Sequence, residues 1–529
     1  MKTRSSRFLV AAAGLCAGLG AAAAQAQEFN KLIGLDINEF GNHVIQTRDG
    51  GYAMTGFTQL PNSPDRGDIL VNRLAPDGSL LWSVRFGGQD LDIGYHIQQT
   101  LDGGFVIAAE TSSVGPLLNL ALLRLDGAGN YMWSWVHEGD LSGEDSVYAP
   151  QRAPGVTVRE LRDEAGFVLT GRKRFSENLQ DQAGVLVRTA PNGAMVFNRQ
   201  YGDARFEGRA RVSFTDVRQL PDGTFVISGT EEFPDSQVEA QDPLFARLDP
   251  AGTPIIFRNY PLPAALNQSE HGTGDGIEVL GTAANPAVVI AGAADRGTLN
   301  RDDLHVIRTD PIGGFQFYRR FVDLVPAFRA VHFDMFGKVV VSGTELSTPN
   351  NVRDAMLLRV DAGTGAFDLG VSYGYTDFVS MSPTPAKLGY ALVGTVAAPA
   401  PFGIGGLDIE LIQTDGNGDV PCLARRFERT PAAIDIDPPI FLPILGNGVG
   451  TFWQANYVRW DQRERIICED RCVRADFNGD GNIDPDDLGD FINCYFAMPP
   501  CPDADFNADG NIDPDDLGDF INLYFECNR

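Results

Sequence analysis

The chain has 529 residues, with 70 acidic residues against 42 Lys and Arg, so its formal net charge at pH 7 is -28. That charge would repel nucleic-acid phosphates and anionic membrane surfaces, which argues against both as partners. Beyond the N-terminal region no apolar stretch is long enough to span a bilayer, so no transmembrane segment is expected.

The N-terminus predicts a secretory signal over residues 1–26. Basic residues precede an apolar run over residues 8–24, and the small residues Ala24 and Ala26 form a cleavage pattern. We therefore expect cleavage after Ala26 and a mature protein that is secreted or held at the cell surface.

A recurring phrase then divides residues 27–430 into seven units. Each phrase is a tight turn, an aromatic or aliphatic residue, and a short apolar run that ends in a small residue. The first residues after the turns are Tyr52, Phe105, Phe167, Phe225, Val288, Val339 and Tyr390. Four strand-like runs per unit, with Gly and Asp at the turns, predict a mainly β fold, a seven-bladed β-propeller.

Ring closure is also predicted. Residues 28–47 look like the end of one unit joined to the start of the next, so the N-terminal strand should pair into the last blade. The phrases resemble those of secreted bacterial propeller proteins with T-x-D-G-G-aromatic repeats. The resemblance implies the fold and leaves activity open, because propellers host hydrolases, lyases, oxidoreductases and binding scaffolds.

Histidine and arginine recur in these units. His43 and His96 share one repeat position and His332 lies close to it, which favours a structural role; if that strand lined the central channel, they would meet there. The second strand repeats Arg73, Arg124, Arg188, Arg247, Arg308 and Arg359, with Gln413 in the seventh unit. We favour hydrogen bonds to turn carboxylates and carbonyls for these arginines; the alternative is a cationic ring for acidic sugars.

Other candidate residues have similar alternatives. Trp82 and Trp133 recur at one strand position, which favours blade packing over stacking on sugar rings. The second strands begin with Asp68, Asp242, Asp303, Asp354 and Asp408, which we expect to cap turns. No pair of carboxylates for glycoside hydrolysis is identifiable, so catalytic residues remain unknown.

Residues 431–471 fit no repeat unit. They are Pro-rich at first and then aromatic, and we expect a linker with an extra packed pair of strands.

Residues 472–529 contain the same 21-residue segment twice, at 476–496 and 505–525, and the two copies differ at two positions. Each copy spaces oxygen ligands as an EF-hand-type calcium loop does, at positions 1, 3, 5, 7, 9 and 12, with glycine at position 6. The predicted ligands are Asp476, Asn478, Asp480, Asn482, Asp484 and Asp487 in the first copy, and Asp505, Asn507, Asp509, Asn511, Asp513 and Asp516 in the second.

Each loop should lead into a short helix. Asp484 is a predicted N-cap and Pro485 a predicted first helical residue, and apolar residues then recur on one face from Leu488 to Phe496. Two such faces can pack together into a small domain.

Aspartate at position 12 distinguishes these loops from ordinary EF-hands. The doubled pattern resembles type I dockerin modules, and more closely the GC-type modules of secreted bacterial proteins. The resemblance implies two bound calcium ions, folding that depends on them, and a cohesin partner. Loop positions 10 and 11, however, are Pro485 and Asp486, and Pro514 and Asp515, where cohesin-reading dockerins have small polar or apolar residues. The partner is therefore a cohesin or another surface or scaffold protein.

Six cysteines remain after the signal, which favours disulfides in an exported protein. Of the 15 pairings allowed, we favour Cys422 with Cys468, Cys494 with Cys501, and Cys472 with Cys527.

The sequence thus predicts a secreted, non-catalytic propeller that serves as a recognition or scaffold domain for carbohydrate or protein ligands. The dockerin resemblance implies extracellular polysaccharide degradation as the process. The alternative is a propeller-fold carbohydrate-active enzyme, a glycoside hydrolase or polysaccharide lyase.

Overall fold

The computed structural model describes residues 28–34, 37–59, 67–114, 118–141, 156–162, 165–174, 182–203, 212–233, 240–260, 271–282, 285–295, 302–321, 330–347, 352–373, 377–386, 388–396, 407–420, 424–426, 431–433, 443–447, 450–452, 456–460, 463–468, 477, 485–497, 504, 506 and 512–527. The predicted signal over residues 1–26 lies outside them.

Seven antiparallel sheets form the blades of a β-propeller, as the repeat predicts. In blades 1 to 4, strands follow one another from the axis outward. Blade 1 contains β2 (Asn38–Gln46), β3 (Tyr52–Gln59), β4 (Ile69–Leu74) and β5 (Leu80–Gly87). Blade 2 contains β6 (Asp92–Gln99), β7 (Phe105–Thr111), β8 (Leu118–Leu125) and β9 (Tyr131–Leu141). Blade 3 contains β10 (Thr157–Glu160), β11 (Phe167–Arg174), β12 (Gln182–Thr189) and β13 (Met195–Asp203). Blade 4 contains β14 (Val212–Gln219), β15 (Phe225–Phe233), β16 (Ala240–Leu248) and β17 (Pro254–Asn259).

Blades 5 to 7 complete the circle. Blade 5 contains β18 (His271–Gly272) and β19 (Gly276–Thr282), which both pair with β20 (Asn285–Asp295), then β21 (Asp302–Thr309) and β22 (Phe315–Phe321). Blade 6 contains β23 (Ala330–Phe333), β24 (Val339–Ser347), β25 (Val352–Val360) and β26 (Phe367–Tyr373). Blade 7 contains β27 (Asp377–Thr384), β28 (Gly389–Val396) and β29 (Asp408–Thr414), followed by β1 (Phe29–Gly34) from the N-terminus.

The ring closes through β1. It runs antiparallel to β29, from Phe29 opposite Gln413 to Ile33 opposite Ile409, and so supplies the fourth strand of blade 7. The prediction that the N-terminal strand pairs into the last blade is confirmed.

The hydrophobic core lies between neighbouring blades. The second strand of a blade is covered on both faces, and β7 is buried along its whole length because of its apolar run FVIAA. One such layer joins Val84 of blade 1 to Ile97 and Leu123 of blade 2.

A glycine in the last turn of each blade seals the contact with the blade before it. Gly129 has φ +81°, and a Cβ built there would lie 2.9 Å from the Trp82 ring of blade 1. The same approach joins Gly78 to Phe29, Gly193 to Trp133, Gly252 to Phe197 and Gly365 to Phe317. Trp82 and Trp133 therefore pack between blades, as their repeat position suggests.

The described segments between residues 424 and 468, which we call the strap, lie along the outer edges of the blades. Their strands are β30 (Ala424–Arg426), β31 (Pro431–Ala433), β32 (Pro443–Asn447), β33 (Gly450–Phe452), β34 (Asn456–Trp460) and β35 (Arg463–Cys468). The expected extra strand pair is wrong, since each of these strands pairs with a different blade. The predicted propeller boundary at residue 430 falls inside the strap.

Two helices follow, α1 (Pro485–Tyr495) and α2 (Pro514–Cys527), and both begin at the prolines that the sequence marks as first helical residues. The equivalent rings of Phe491 and Phe520 stack, with centroids 4.0 Å apart, and Phe477 and Phe506 pack at their edges. Phe496, expected on the packed face, is exposed. In the described parts of the chain, no helix is long and apolar enough to cross a membrane.

Candidate functional site

The first strands of the seven blades line the axis. Going round the ring, β2, β6, β10, β14, β19, β23 and β27 each contact the next, and β27 contacts β2 again. A register shift lies in this strand just before His43, His96, Asp216 and Ser380 in blades 1, 2, 4 and 7. Such bulges re-aim the side chains beside them, here at the narrowest part of the propeller.

Ionisable side chains from six blades form a continuous chain of contacts at this level, which we call the channel ring. Its members are His43, His96, Arg159, Asp216, Arg218, Glu278 and His332. The first contacts join three blades: the rings of His43 and His96 lie 4.1 Å apart, and Nη1 of Arg159 lies 2.5 Å from Nε2 of His96. The backbone N–H of Ile97 donates to Nδ1 of His43 at 3.4 Å.

The acidic half of the channel ring continues through blades 4 to 6. Asp216 accepts hydrogen bonds from Nη2 of Arg159 at 3.1 Å and from Nη1 of Arg218 at 2.6 Å. Arg218 also donates from Nε and Nη2 to the two carboxylate oxygens of Glu278, both at 3.1 Å. Nδ1 of His332 lies 3.5 Å from Oε2 of Glu278.

Burial and neighbouring charges fix the protonation of this ring. Burial, together with Arg159 and other cationic neighbours, holds the pKa of His43 well below its usual range, and the same holds for His96 beside His43 and Arg159. Both imidazoles are therefore neutral at pH 7. Because a guanidinium has no acceptor, Nε2 of His96 accepts from Arg159.

The cations and anions of the ring balance. Burial and the nearby Arg218 lower the pKa of Arg159 to about 10, so it keeps its charge at pH 7. Burial raises the pKa of Glu278, but Arg218 and His332 outweigh it and hold that pKa well below the usual range. Among the residues that the structure describes, the two guanidiniums of the ring face two carboxylates.

The sequence found part of this site. It favoured a structural role for the repeat histidines and offered a meeting in the channel as the condition that their strand lined it; that strand does line it, and His43 and His96 are in contact there. His332 lies two residues nearer the first turn, opposite Val340, whereas His43 lies opposite Thr55. Arg159, Asp216, Arg218 and Glu278 were missed; they occupy the same strand in units where no histidine marks the position.

The repeated arginines, which the sequence analysis placed on the second strand-like run of each unit, lie on the third strand of each blade and have structural contacts. Arg73 and Arg124 pair with the turn carboxylates of Asp49 and Asp102 in their own blades. In blades 3 to 6 the arginine donates to a turn carbonyl of the next blade, and these pairs are Arg188 with Pro250, Arg247 with Pro311, Arg308 with Ala362, and Arg359 with Gly416. Gln413 accepts from the Tyr52 hydroxyl of blade 1 at 2.6 Å. The contacts of Arg188, Arg247, Arg308, Arg359 and Gln413 therefore join neighbouring blades, whereas those of Arg73 and Arg124 hold the first turn of their own blade.

Three of the aspartates at the start of third strands contact the fourth strand of their own blade. Asp68 pairs with Arg85 at 2.9 Å, Asp303 with Arg320 at 2.5 Å, and Asn259 donates to Asp242 at 3.2 Å. The sequence analysis expected turn caps at these positions and did not predict these fourth-strand partners.

Only part of the predicted calcium site lies in the described chain. Asp487, Asp513 and Asp516 are described, and Asp476, Asn478, Asp480, Asn482, Asp484, Asp505, Asn507, Asp509 and Asn511 lie outside it. Asp487 and Asp516, both at loop position 12, are fully buried. The backbone N–H of Asp513 donates to Oδ2 of Asp516 at 2.8 Å. The residues that the structure describes include no group of three or more potential metal ligands.

Fold and site together define a seven-bladed β-propeller whose axis is crossed by a charge-balanced ring of side chains. No protein-family model and no curated protein matches the chain. Among solved structures it is similar to the polysaccharide lyase Uly1, with 10% identity, a TM-score of 0.44, and 73% of this chain and 99% of that one covered.

Two further structures match over a similar share of this chain. The plexin A4 full extracellular region matches with 8% identity, a TM-score of 0.42 and 72% of this chain covered; this chain spans about half (51%) of that one. The endo-1,5-α-L-arabinanase of Thermotoga petrophila RKU-1 matches with 10% identity, a TM-score of 0.23, and 72% and 99% covered. None of these likenesses assigns an activity to this chain.

Proposed function

We propose that this is a secreted, non-catalytic β-propeller recognition or scaffold protein, tethered through a two-calcium dockerin-like module to a partner in extracellular polysaccharide degradation. The observation that carries the proposal is the repeated segment at 476–496 and 505–525, which has the ligand spacing of a calcium loop in both copies.

The described ends of the two loops support a cation. A buried carboxylate is costly unless a cation or several hydrogen bonds compensate it. Asp487 and Asp516 are fully buried at equivalent positions in the first turns of α1 and α2. The helix dipole favours negative charge there, and a calcium ion would supply the larger compensation.

The channel ring supports the non-catalytic role. Its guanidiniums and carboxylates are engaged with one another across blades 3 to 5, so each guanidinium already contacts a carboxylate. The ring therefore links blades around the axis, as the arginines of the third strands do at the turns.

The test is capture of cohesin modules and of a polysaccharide panel by the immobilised full chain, with calcium or with a chelator. We expect calcium-dependent capture of a protein partner. We expect no polysaccharide to be cleaved, whether or not it is bound. The double variant Asp487→Ala/Asp516→Ala should lose capture and keep the propeller's thermal transition. Capture that survives both the chelator and this variant would contradict the tether.

A second candidate function is a carbohydrate-active enzyme, a hydrolase or a lyase. It is favoured by the grouping of His43, His96 and the charged Arg159 in the channel, residue types that transfer protons and bind anionic groups in such enzymes. The acceptor nitrogens of both imidazoles are engaged here, so a substrate would have to displace the Ile97 N–H from His43 or Arg159 from His96. New reducing ends or unsaturated products formed by the wild-type chain, and lost in His43→Ala/His96→Ala, would establish it in place of the scaffold.

A further inference from the structure

The strap circles the propeller in the direction opposite to the blades. Its strands pair in chain order with blades 6, 5, 3, 2, 1 and 7, through β26, β22, β13, β9, β5 and β1. It starts on blade 6 and ends on blade 7, which are neighbours in the ring. In the described chain the strap thus passes almost completely round the molecule.

Each of these pairings covers the outer edge of a blade. All six are antiparallel, and the longest run along β13, β5 and β1, where five residues pair in each case. Exposed outer strands are ready templates for pairing with another chain. Here the edge of the sheet passes to the strap strands, which are short, three to six residues each.

The pairing at blade 7 differs from the other five because it involves the strand that closes the ring. Without the strap, β1 would be the outer edge strand of blade 7 and would pair only with β29. In the sequence, the rest of the propeller lies between these two strands. With it, Lys31 lies opposite both Leu411 and Ile466, and Ile33 opposite both Ile409 and Glu464. The closing strand is enclosed between two partners.

We propose that the strap is a lock on ring closure: β35 holds β1 in blade 7 so that the N-terminal closure and the C-terminal exit of the chain are secured in one sheet. Releasing β1 alone from the sheet then requires breaking two ladders instead of one. The other strap strands attach the preceding chain to blades 1, 2, 3, 5 and 6. This inference is independent of the calcium module and of any partner.

Hydrogen exchange on the full chain tests the lock. In Arg465→Pro/Ile466→Pro, adjacent prolines guarantee the loss of a ladder hydrogen bond in β35, since successive N–H groups point to opposite sides. We expect the β1 amides that donate to β29 to exchange at least about tenfold faster, which corresponds to about 1.4 kcal/mol. The matched variant Val458→Pro/Arg459→Pro, in β34, should speed exchange in β5 and leave β1 unchanged. Unchanged β1 exchange in the first variant, or an equal rise in both, overturns the proposal.

A cross-link provides a second measurement that does not depend on weakening the fold. Thr451 of β33 lies opposite Val136 of β9, so Val136→Cys with Thr451→Cys should form a disulfide in the full chain. The control Val84→Cys with Thr451→Cys places the partner in blade 1, where Val84 lies opposite Arg459, and should form none. No cross-link in the first variant, or equal cross-linking in both, would show that the strap does not run as described.

Discussion

Charged side chains buried near the axis are the most constrained residues of this protein. Arg218 lies between Asp216 and Glu278, and burial of these charges is tolerated because each finds an opposite charge in hydrogen-bonding geometry. Removing one partner leaves an uncompensated buried ion, which is far more costly than the pair is stabilising.

Arg218→Met should therefore destabilise the propeller by about 3 to 5 kcal/mol at pH 7. Arg218 holds the pKa of Glu278 low, so in the variant that pKa rises and the deficit shrinks as the carboxyl becomes protonated on acidification. Chemical denaturation at neutral and acidic pH measures both effects. The variant Arg218→Met/Glu278→Gln should recover part of the loss, and a deficit that grows towards low pH would contradict the assignment.

The contribution of Asp92 to folding stability depends on pH in the opposite direction to that of an ordinary surface acid. It is fully buried at the start of β6, and burial raises its pKa from 3.8 to about 6 despite hydrogen bonds from Gly88 and Ser113. Its contribution to stability is thus complete below pH 3.8 and is lost as pH rises through about 6.

Asp92→Asn should stabilise the fold at pH 8 by up to about 3 kcal/mol and have little effect near pH 4. An asparagine oxygen can keep the hydrogen bonds that Asp92 accepts. Melting curves across this pH range are the measurement, with Asp126→Asn as the control. Asp126 is an exposed turn acid whose pKa is lowered by Asn130, so its variant should not be stabilised at any pH. An equal gain for Asp92→Asn at pH 4 and pH 8 would refute the account.

At the scale of elements, the turns between strands decide how blades meet. The glycine in the last turn of each blade has positive φ and also lies under an aromatic or aliphatic side chain of the preceding blade. The glycine of a first turn shares the positive φ without that contact: at Gly103, with φ +91°, a Cβ would meet nothing within 4 Å.

This pair separates backbone strain from packing. Gly103→Ala should cost about 1 to 2 kcal/mol, the penalty of a left-handed non-glycine residue. Gly129→Ala should cost about 1 to 3 kcal/mol more, because its methyl group meets Trp82. Denaturant unfolding of both variants compares them. Equal losses would mean that Trp82 does not seal the blades.

The strands and their number were predictable because their signals are local. A DGG-type turn followed by Phe105 and a short apolar run specifies its own strand, whatever the rest of the chain does. The strap was not predictable, because its short strands, such as β33 (Gly450–Phe452), form only by pairing with a distant edge. No period in the sequence marks such a pairing.

The channel ring likewise contains some residues that the sequence could reveal and others that it could not. His43 and His96 were visible because two units carry the same residue at one position. Arg159 and Glu278 were not, because each unit contributes a different residue and only the ring arrangement gives them a common role. Their contacts depend on which blades are neighbours, which sequence spacing alone does not reveal.

For the whole molecule, the two ends of the strap carry a covalent prediction. Cys422 lies outside the described residues, two positions before β30, and Cys468 is the last residue of β35. If these cysteines pair, as the sequence analysis favours, the 47 residues from one to the other form a covalently closed hoop around the blades.

Peptide mapping without reduction should recover Cys422 linked to Cys468, and the variant Cys422→Ser/Cys468→Ser should be less stable by about 4 kcal/mol. Stability is lost because the unfolded chain has more conformational entropy without the disulfide. The matched variant Cys494→Ser/Cys501→Ser should leave the propeller's melting temperature unchanged. Recovery of Cys468 with any other cysteine would contradict the hoop.

The central claim is that a seven-bladed propeller is tethered through two calcium loops, and the most direct test is the stoichiometry of calcium binding to the full chain. Isothermal titration should give two ions for the wild-type chain, one for Asp487→Ala or Asp516→Ala, and none for the double variant. One ion or none for the wild-type chain, or two ions retained by the double variant, would contradict the account.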